Sequence, residues 1–168
     1  MNKEHATRDP EKKRSKHEIH AVITGETSRD AVIRLLADEM ASFGMVDASY
    51  GESVLERERS YPTGVPTEPV AVAIPHSERI QVSKTGIGVA VLTNSAKFAS
   101  MDAPENLLDV KVVFMLAISS DDGHLDIIQD IMGIIQDRHV VDSLLTAGTP
   151  GKIEEIMHRE LTARENKR

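Results

Sequence analysis

The chain has 168 residues, a formal charge of −7 from 20 Lys and Arg against 27 Asp and Glu, 40% hydrophobic residues, and neither cysteine nor tryptophan. The length supports one domain with an aliphatic core. The acidic balance argues against a protein built to meet nucleic-acid phosphates, and the missing thiols exclude disulfides, thiolate catalysis and zinc–thiolate sites. No apolar run nears the roughly 20 residues that span a bilayer, and Met1-Asn2-Lys3-Glu4-His5 does not open a secretory signal. A cytoplasmic protein without direct membrane insertion is expected.

Residues 1–18 carry six Lys/Arg and four Asp/Glu with almost nothing apolar. They read as a disordered or frayed tail in which His5 and His17 are exposed and idle, with a helical arm as the alternative. Thr27 and Ser28 offer N-caps to a helix ending near Phe43-Gly44, with Val32, Leu35, Leu36 and Met40 as its buried stripe. A second helix is expected over about 49–59, with Val54 and Leu55 inward. Residues 60–69 hold three prolines and a glycine, which leaves no room for regular structure.

The run Val70-Ala71-Val72-Ala73-Ile74 then reads as a strand stopped by Pro75 and followed at once by His76. Further β-rich runs are Gly86–Leu92, a short piece at 96–99, and Val110–Ile118. The near-continuous apolar character of the last places it centrally, covered on both faces. Lys84-Thr85-Gly86 suits a hairpin-type turn, with a turn beside the candidate site as the alternative. Ser119, Ser120 and Asp121 cap a helix from His124 to about Gln136, with Leu125, Ile128, Met132 and Ile135 inward. A short helical piece at 139–146 follows. A last helix opens at Thr149-Pro150, runs to about Leu161 on Ile153, Ile156 and Met157, and leaves a polar tail at 164–168. Helices and strands alternate too little for a doubly wound fold. The expected class is α/β: a single-domain sandwich with a small mixed sheet flanked by helices, the strand at 110–118 near its middle.

His76 is the first candidate for chemistry. An imidazole at a strand end can act as base or nucleophile near neutral pH; alone, it could equally be an inert loop residue. Arg57-Glu58 precede the proline loop, and His124 opens a helix just after the 110–118 strand. If the strands at 70–74 and 110–118 run parallel, His76 and His124 share one rim of the sheet. No GxxxxGK[ST] loop is present for direct use of ATP, and no His/Asp/Glu cluster has convincing metal spacing. Asp121-Asp122 reads as a helix-start cap, and neither metal nor cofactor is expected. His20, His139 and His158 read as ordinary polar positions.

The ordered set Arg57-Glu58, Tyr61-Pro62-Thr63-Gly64 and Ala73-Ile74-Pro75-His76, with Val113–Ala117 and His124-Leu125-Asp126 downstream, resembles the fructose/mannitol superfamily of enzyme IIA domains. These belong to the bacterial phosphoenolpyruvate-dependent sugar phosphotransferase system. The likeness covers roughly residues 22–162, with a domain expected over 19–163, and the spacing Tyr61–Pro69 is most similar to the galactitol-specific type. The resemblance implies a phosphotransferase component with His76 as phosphoryl acceptor and Arg57 neutralising phosphoryl oxygens. It further implies that His124 donates a hydrogen bond to the phosphate, that Thr63 bonds to His76 or lines the pocket, and that Glu58 orders the pocket. The implied partners are the phosphorylated histidine phosphocarrier protein HPr, a sugar-specific IIB component for galactitol or a related polyol, and, indirectly, the membrane component IIC. A regulatory, nitrogen-related IIA-like protein acting through phosphorylation-dependent partner binding carries the same motif and is the alternative.

Overall fold

The computed structural model describes residues 17–77, 81–119 and 124–167, the side chains of His124 and Leu125 excepted. In chain order the elements are β1 (Glu18–Thr24), α1 (Arg29–Ser42), α2 (Tyr50–Ser60), β2 (Gly64–Val65), β3 (Ala71–Ala73), β4 (Gly86–Ala99), β5 (Leu107–Ala117), α3 (His124–Gln136), α4 (Arg138–Leu145) and α5 (Pro150–Glu165). The strands form one mixed sheet in the order β1-β4-β5-β3-β2, so β5 is central. β1 runs parallel to β4 and β3 parallel to β5, while β4–β5 and β2–β3 are antiparallel.

Side chains alternate across β5 as the pleat requires. Val112, Phe114 and Leu116 pack with α3, α4 and α5 on one face; Val113, Met115 and Ala117 pack with α1 and α2 on the other. The result is a three-layer sandwich with the sheet covered on both sides, as its unbroken apolar run suggests. Ser28 Oγ accepts from Ala31 N at the start of α1, Thr149 Oγ1 does the same for Lys152 N at α5, and Gly44 takes a φ of 72° after α1. Among the described residues no helix is long and apolar enough to cross a membrane.

Several local expectations are corrected. A strand, β1, occupies residues expected to lie in or beside the tail, and His17 before it is buried rather than exposed. The remainder of the 1–18 segment, His5 included, lies outside the described residues, as do Ser120 and Asp121-Asp122. The proline loop contains the two-residue strand β2, where a Cβ on Gly64 would stand 2.6 Å from the Ala99 carbonyl oxygen, so only glycine fits. The pieces at 86–92 and 96–99 are one strand, continuous through a register shift between Val91 and Ala96. Lys84–Gly86 makes no hairpin, because β5 lies between β3 and β4. In α1 the buried stripe includes Ile33 and Ala37 and leaves Leu35 exposed. In α3 the inward residues are Ile127, Ile131, Ile134 and Ile135, with Ile128 exposed. That helix is apolar on two adjacent stripes, and packing on the sheet selects one. α5 continues to Glu165, four residues beyond its expected end.

Candidate functional site

The parallel pairing of β3 with β5 brings their C-terminal ends to one rim. His76 stands there, three residues beyond β3, on backbone held from both sides. Ile74 N donates to the Thr63 carbonyl at 3.2 Å, and Leu116 N donates to the Pro75 carbonyl at 3.0 Å. α3, which His124 opens, follows β5 after a short connection. The His124 side chain lies outside the described residues.

The His76 ring makes one defined bond, Nδ1 to the Ile74 carbonyl oxygen at 2.9 Å. A carbonyl only accepts, so Nδ1 carries the proton and, in the neutral ring, Nε2 carries the free lone pair. Burial holds the imidazole pKa below its ordinary value; the Arg57 charge pushes the same way, and the Ile74 carbonyl opposes both. The ring is therefore a neutral base with one defined nucleophilic nitrogen.

Arg57 lies in the last two turns of α2. Its guanidinium carbon sits 5.2 Å from the centroid of the Tyr61 ring, an i, i+4 cation–π contact. Its Nε is buried with no hydrogen-bond partner, and it forms no ion pair among the described residues. Neither Glu56 nor Glu58, its neighbours in sequence, pairs with it. An unpartnered buried donor whose charge reaches the His76 imidazole is suited to receive an anion.

Thr63 and Glu58 meet each other instead of His76. Glu58 is 2% exposed. Its Oε1 accepts from Thr63 N at 2.9 Å and its Oε2 from Thr63 Oγ1 at 2.8 Å. The single hydroxyl proton of Thr63 is committed to the carboxyl, which has left water and needs donors; the expected bond to His76 is not made. Burial raises the Glu58 pKa above the ordinary carboxyl value, against the lowering effect of Thr63, Arg29 and Arg57. Glu58 ties α2 to the loop that carries Thr63.

Tyr50 is a site neighbour that sequence reasoning missed, and Thr85 lies beside the site, the alternative to the hairpin-type turn favoured from the sequence. Tyr50 is fully buried, donates its hydroxyl to the Leu116 carbonyl at 2.7 Å, and accepts from Ser77 N at 3.2 Å. Burial pushes its phenol pKa up to about 12. Thr85 Oγ1 accepts from Ser119 N at 2.9 Å and joins the start of β4 to the exit of β5 on the same rim. The available signal was a tyrosine at the start of a helix with an apolar face, since a buried tyrosine hydroxyl has to find a partner. Of the other histidines, His20 stacks on Phe43 at 3.8 Å between centroids, while His139 lines a cavity of about 410 Å³ with Pro69, Arg138 and Asp142. Among the described residues no three His, Cys, Asp or Glu side chains gather in a way that would hold a metal.

Known proteins resemble the chain in sequence and in fold. The galactitol-specific EIIA component of Escherichia coli K12 is 29% identical over 118 residues, which are 70% of this chain and 78% of that protein. Among solved structures, the complex of enzyme IIAMtl and phosphorylated enzyme IIBMtl from Escherichia coli matches with a TM-score of 0.65 at 18% identity, over 85% of this chain and 95% of that one. Nitrogen regulatory protein IIA-Ntr from Neisseria meningitidis matches with a TM-score of 0.61 at 18% identity, over 83% and 92%. At these identities the structural likeness bears on the fold. The model of the family described as "Phosphoenolpyruvate-dependent sugar phosphotransferase system, EIIA 2" matches residues 15–160, and the chain belongs to that family of phosphotransferase components, which pass phosphate by way of a histidine.

Proposed function

We propose that the chain is a cytoplasmic phosphoryl carrier that accepts phosphate on His76 Nε2 from phosphorylated HPr and passes it to a IIB component for galactitol or a related polyol. The observation that carries this reading is the Nδ1–H bond of His76 to the Ile74 carbonyl, which leaves Nε2 as the nucleophile. The Nε2 lone pair forms the new N–P bond as the donor's N–P bond breaks, and the donor imidazole leaves with that bond's electron pair. Nδ1 keeps its proton, so positive charge develops on the His76 ring, and the Ile74 carbonyl oxygen faces it. The same arrangement makes His76 a neutral leaving group in the onward transfer. Arg57 would meet the equatorial phosphoryl oxygens, where phosphoryl transfer draws most of its stabilisation, and its unpartnered Nε supports that role. His124 takes the second donor position, and Glu58 with Thr63 orders the loop. The polyol assignment rests on the galactitol-specific relative and on the Tyr61–Pro69 spacing.

Incubation with phosphoenolpyruvate, enzyme I and HPr should add the mass of one phosphoryl group, acid-labile and absent in His76→Ala. Transfer should then be fastest to a galactitol-type IIB; preference for a fructose-type IIB would move the chain to another branch. Stable capture of a kinase, channel or regulator, with no transfer to any IIB, would replace transport by the regulatory reading.

A further inference from the structure

In a parallel pair of strands, a residue donates its N–H to the carbonyl just before its opposite number and accepts from the N–H just after it. Leu116 N donates to Pro75 O, so the residue opposite Leu116 is His76. The next rung of the ladder would be Ser77 N to Leu116 O. That rung is not direct. The Tyr50 hydroxyl stands in it, accepting from Ser77 N at 3.2 Å and donating to Leu116 O at 2.7 Å. The peptide groups on both sides of His76 are thus tied to one residue of the central strand, once directly and once through a phenol. The phenol comes from α2, and Arg57 follows Tyr50 by about two turns of that same helix.

We propose that Tyr50 is a positioning residue for phosphoryl transfer: its inserted hydroxyl fixes the His76 backbone against β5 and couples it to the helix that carries Arg57. The inference rests on His76 being the acceptor and goes beyond it by assigning what sets the spacing of nucleophile and guanidinium. A tyrosine serving only the core would need a single partner on any nearby carbonyl. Tyr50 uses both its donor and an acceptor site, and both partners are the groups that a regular ladder would have joined. Being fully buried, it touches neither phosphate nor protein partner, so its effect must run through geometry.

The test is single-turnover phosphorylation of Tyr50→Phe by phosphorylated HPr over a range of donor concentrations, beside wild type and His76→Ala. The saturating rate per folded molecule should fall about 10- to 100-fold, the scale of a misplacement of about 1 Å at a reacting centre. The donor concentration at half-saturation should stay within about two-fold, since no donor contact is lost. The His76 ring nitrogens, followed by NMR, should show a weakened Nδ1–H bond, which a merely structural role would not touch. A saturating rate within about two-fold of wild type with unchanged ring-nitrogen shifts overturns the proposal. Should Y50F fail to fold, 3-fluorotyrosine at position 50 keeps ring and hydroxyl while strengthening the donor. A shift in the saturating rate and in the His76 nitrogens is then expected, and no change in either overturns the proposal. If wild type itself takes no phosphate, the acceptor assignment falls and this inference with it; if wild type is labelled and Y50F matches it, this inference falls alone.

Discussion

Glu58 and Thr63 are joined twice, the carboxyl of one taking both the backbone N–H and the hydroxyl of the other inside the protein. Five residues apart in sequence, they close the exit of α2 onto the strand that precedes His76. Thr63→Val should therefore cost about 1–3 kcal/mol, because it strands one carboxyl oxygen in a buried place. In a chain of this size that is a fall in Tm of about 2–4 °C per kcal/mol, read by calorimetry. Thr63→Ser should retain most of the stability; equal losses in both variants would mean that the hydroxyl bond contributes nothing.

The raised Glu58 pKa sets a pH signature. In the window between its ordinary and its folded value, the folded state holds the proton that the unfolded state has released, so stability falls as pH rises through that window. Glu58→Gln removes the titration. The stability of wild type relative to E58Q should consequently decrease from acid toward neutral pH in denaturant melts, and a difference that is flat or increasing contradicts the buried, proton-retaining carboxyl.

His76 titrates in the opposite sense, with its pKa lowered chiefly by burial and secondarily by Arg57. In the proposed transfer the neutral Nε2 reacts, so the acid limb of the acceptance rate should have its midpoint below the ordinary histidine value of 6.5. Arg57→Gln should move that midpoint upward without carrying it past the ordinary value. NMR titration of the ring measures both, and a wild-type midpoint at or above 6.5 removes the desolvated nucleophile.

Arg57→Lys should not rescue function. A lysine offers a point charge where a fork of donors is required, and acceptance should drop about 10²–10³-fold, as when one transition-state donor is lost. The same rate measured beside thermal unfolding separates function from fold. Arg57→Met deletes a buried Nε that has no partner, so its Tm should hold or rise. Wild-type turnover in R57K would exclude the guanidinium from phosphate contact.

His124→Ala should keep phosphate acceptance at His76 and impair onward transfer to IIB, by about 2–4 kcal/mol in the barrier if it supplies one donor. Single-turnover assays of each half-reaction distinguish the two histidines. Loss of labelling in H124A with labelling retained in H76A would reverse their roles.

Much of this architecture was legible in the residues. α1, α2 and α5 follow from caps and apolar spacing, and the central place of β5 follows from an apolar run too long to face water. β1 was not, because its apolar positions Ile19 and Ala21 alternate with Glu18 and His20 directly after a charged tail, and its pairing comes from Gly86–Leu92, far along the chain. The polar pair Asn94-Ser95 made β4 look like two strands, where the sheet accommodates them at an irregularity. At the site, Arg57 and His76 stand out as motif residues. Tyr50 does not, because its role depends on which backbone groups lie opposite one another across two strands about 40 residues apart, and on a helix residue 66 positions before Leu116, and no local pattern encodes that.

The first residue of β1 pairs with Gly86, and Gly86 pairs with Ala117, beside the Leu116 row that holds His76. The chain therefore enters its fold on the working rim, about 14 Å from β3 at three strand spacings. A label attached directly at His17 would start on the rim that bears His76, in the approach lane of the proposed HPr and IIB partners. The turn between β4 and β5, at 102–105, lies at the far end of both strands. A dye or anchor placed there leaves the rim open, so the strand order itself selects where this molecule can be held while it works.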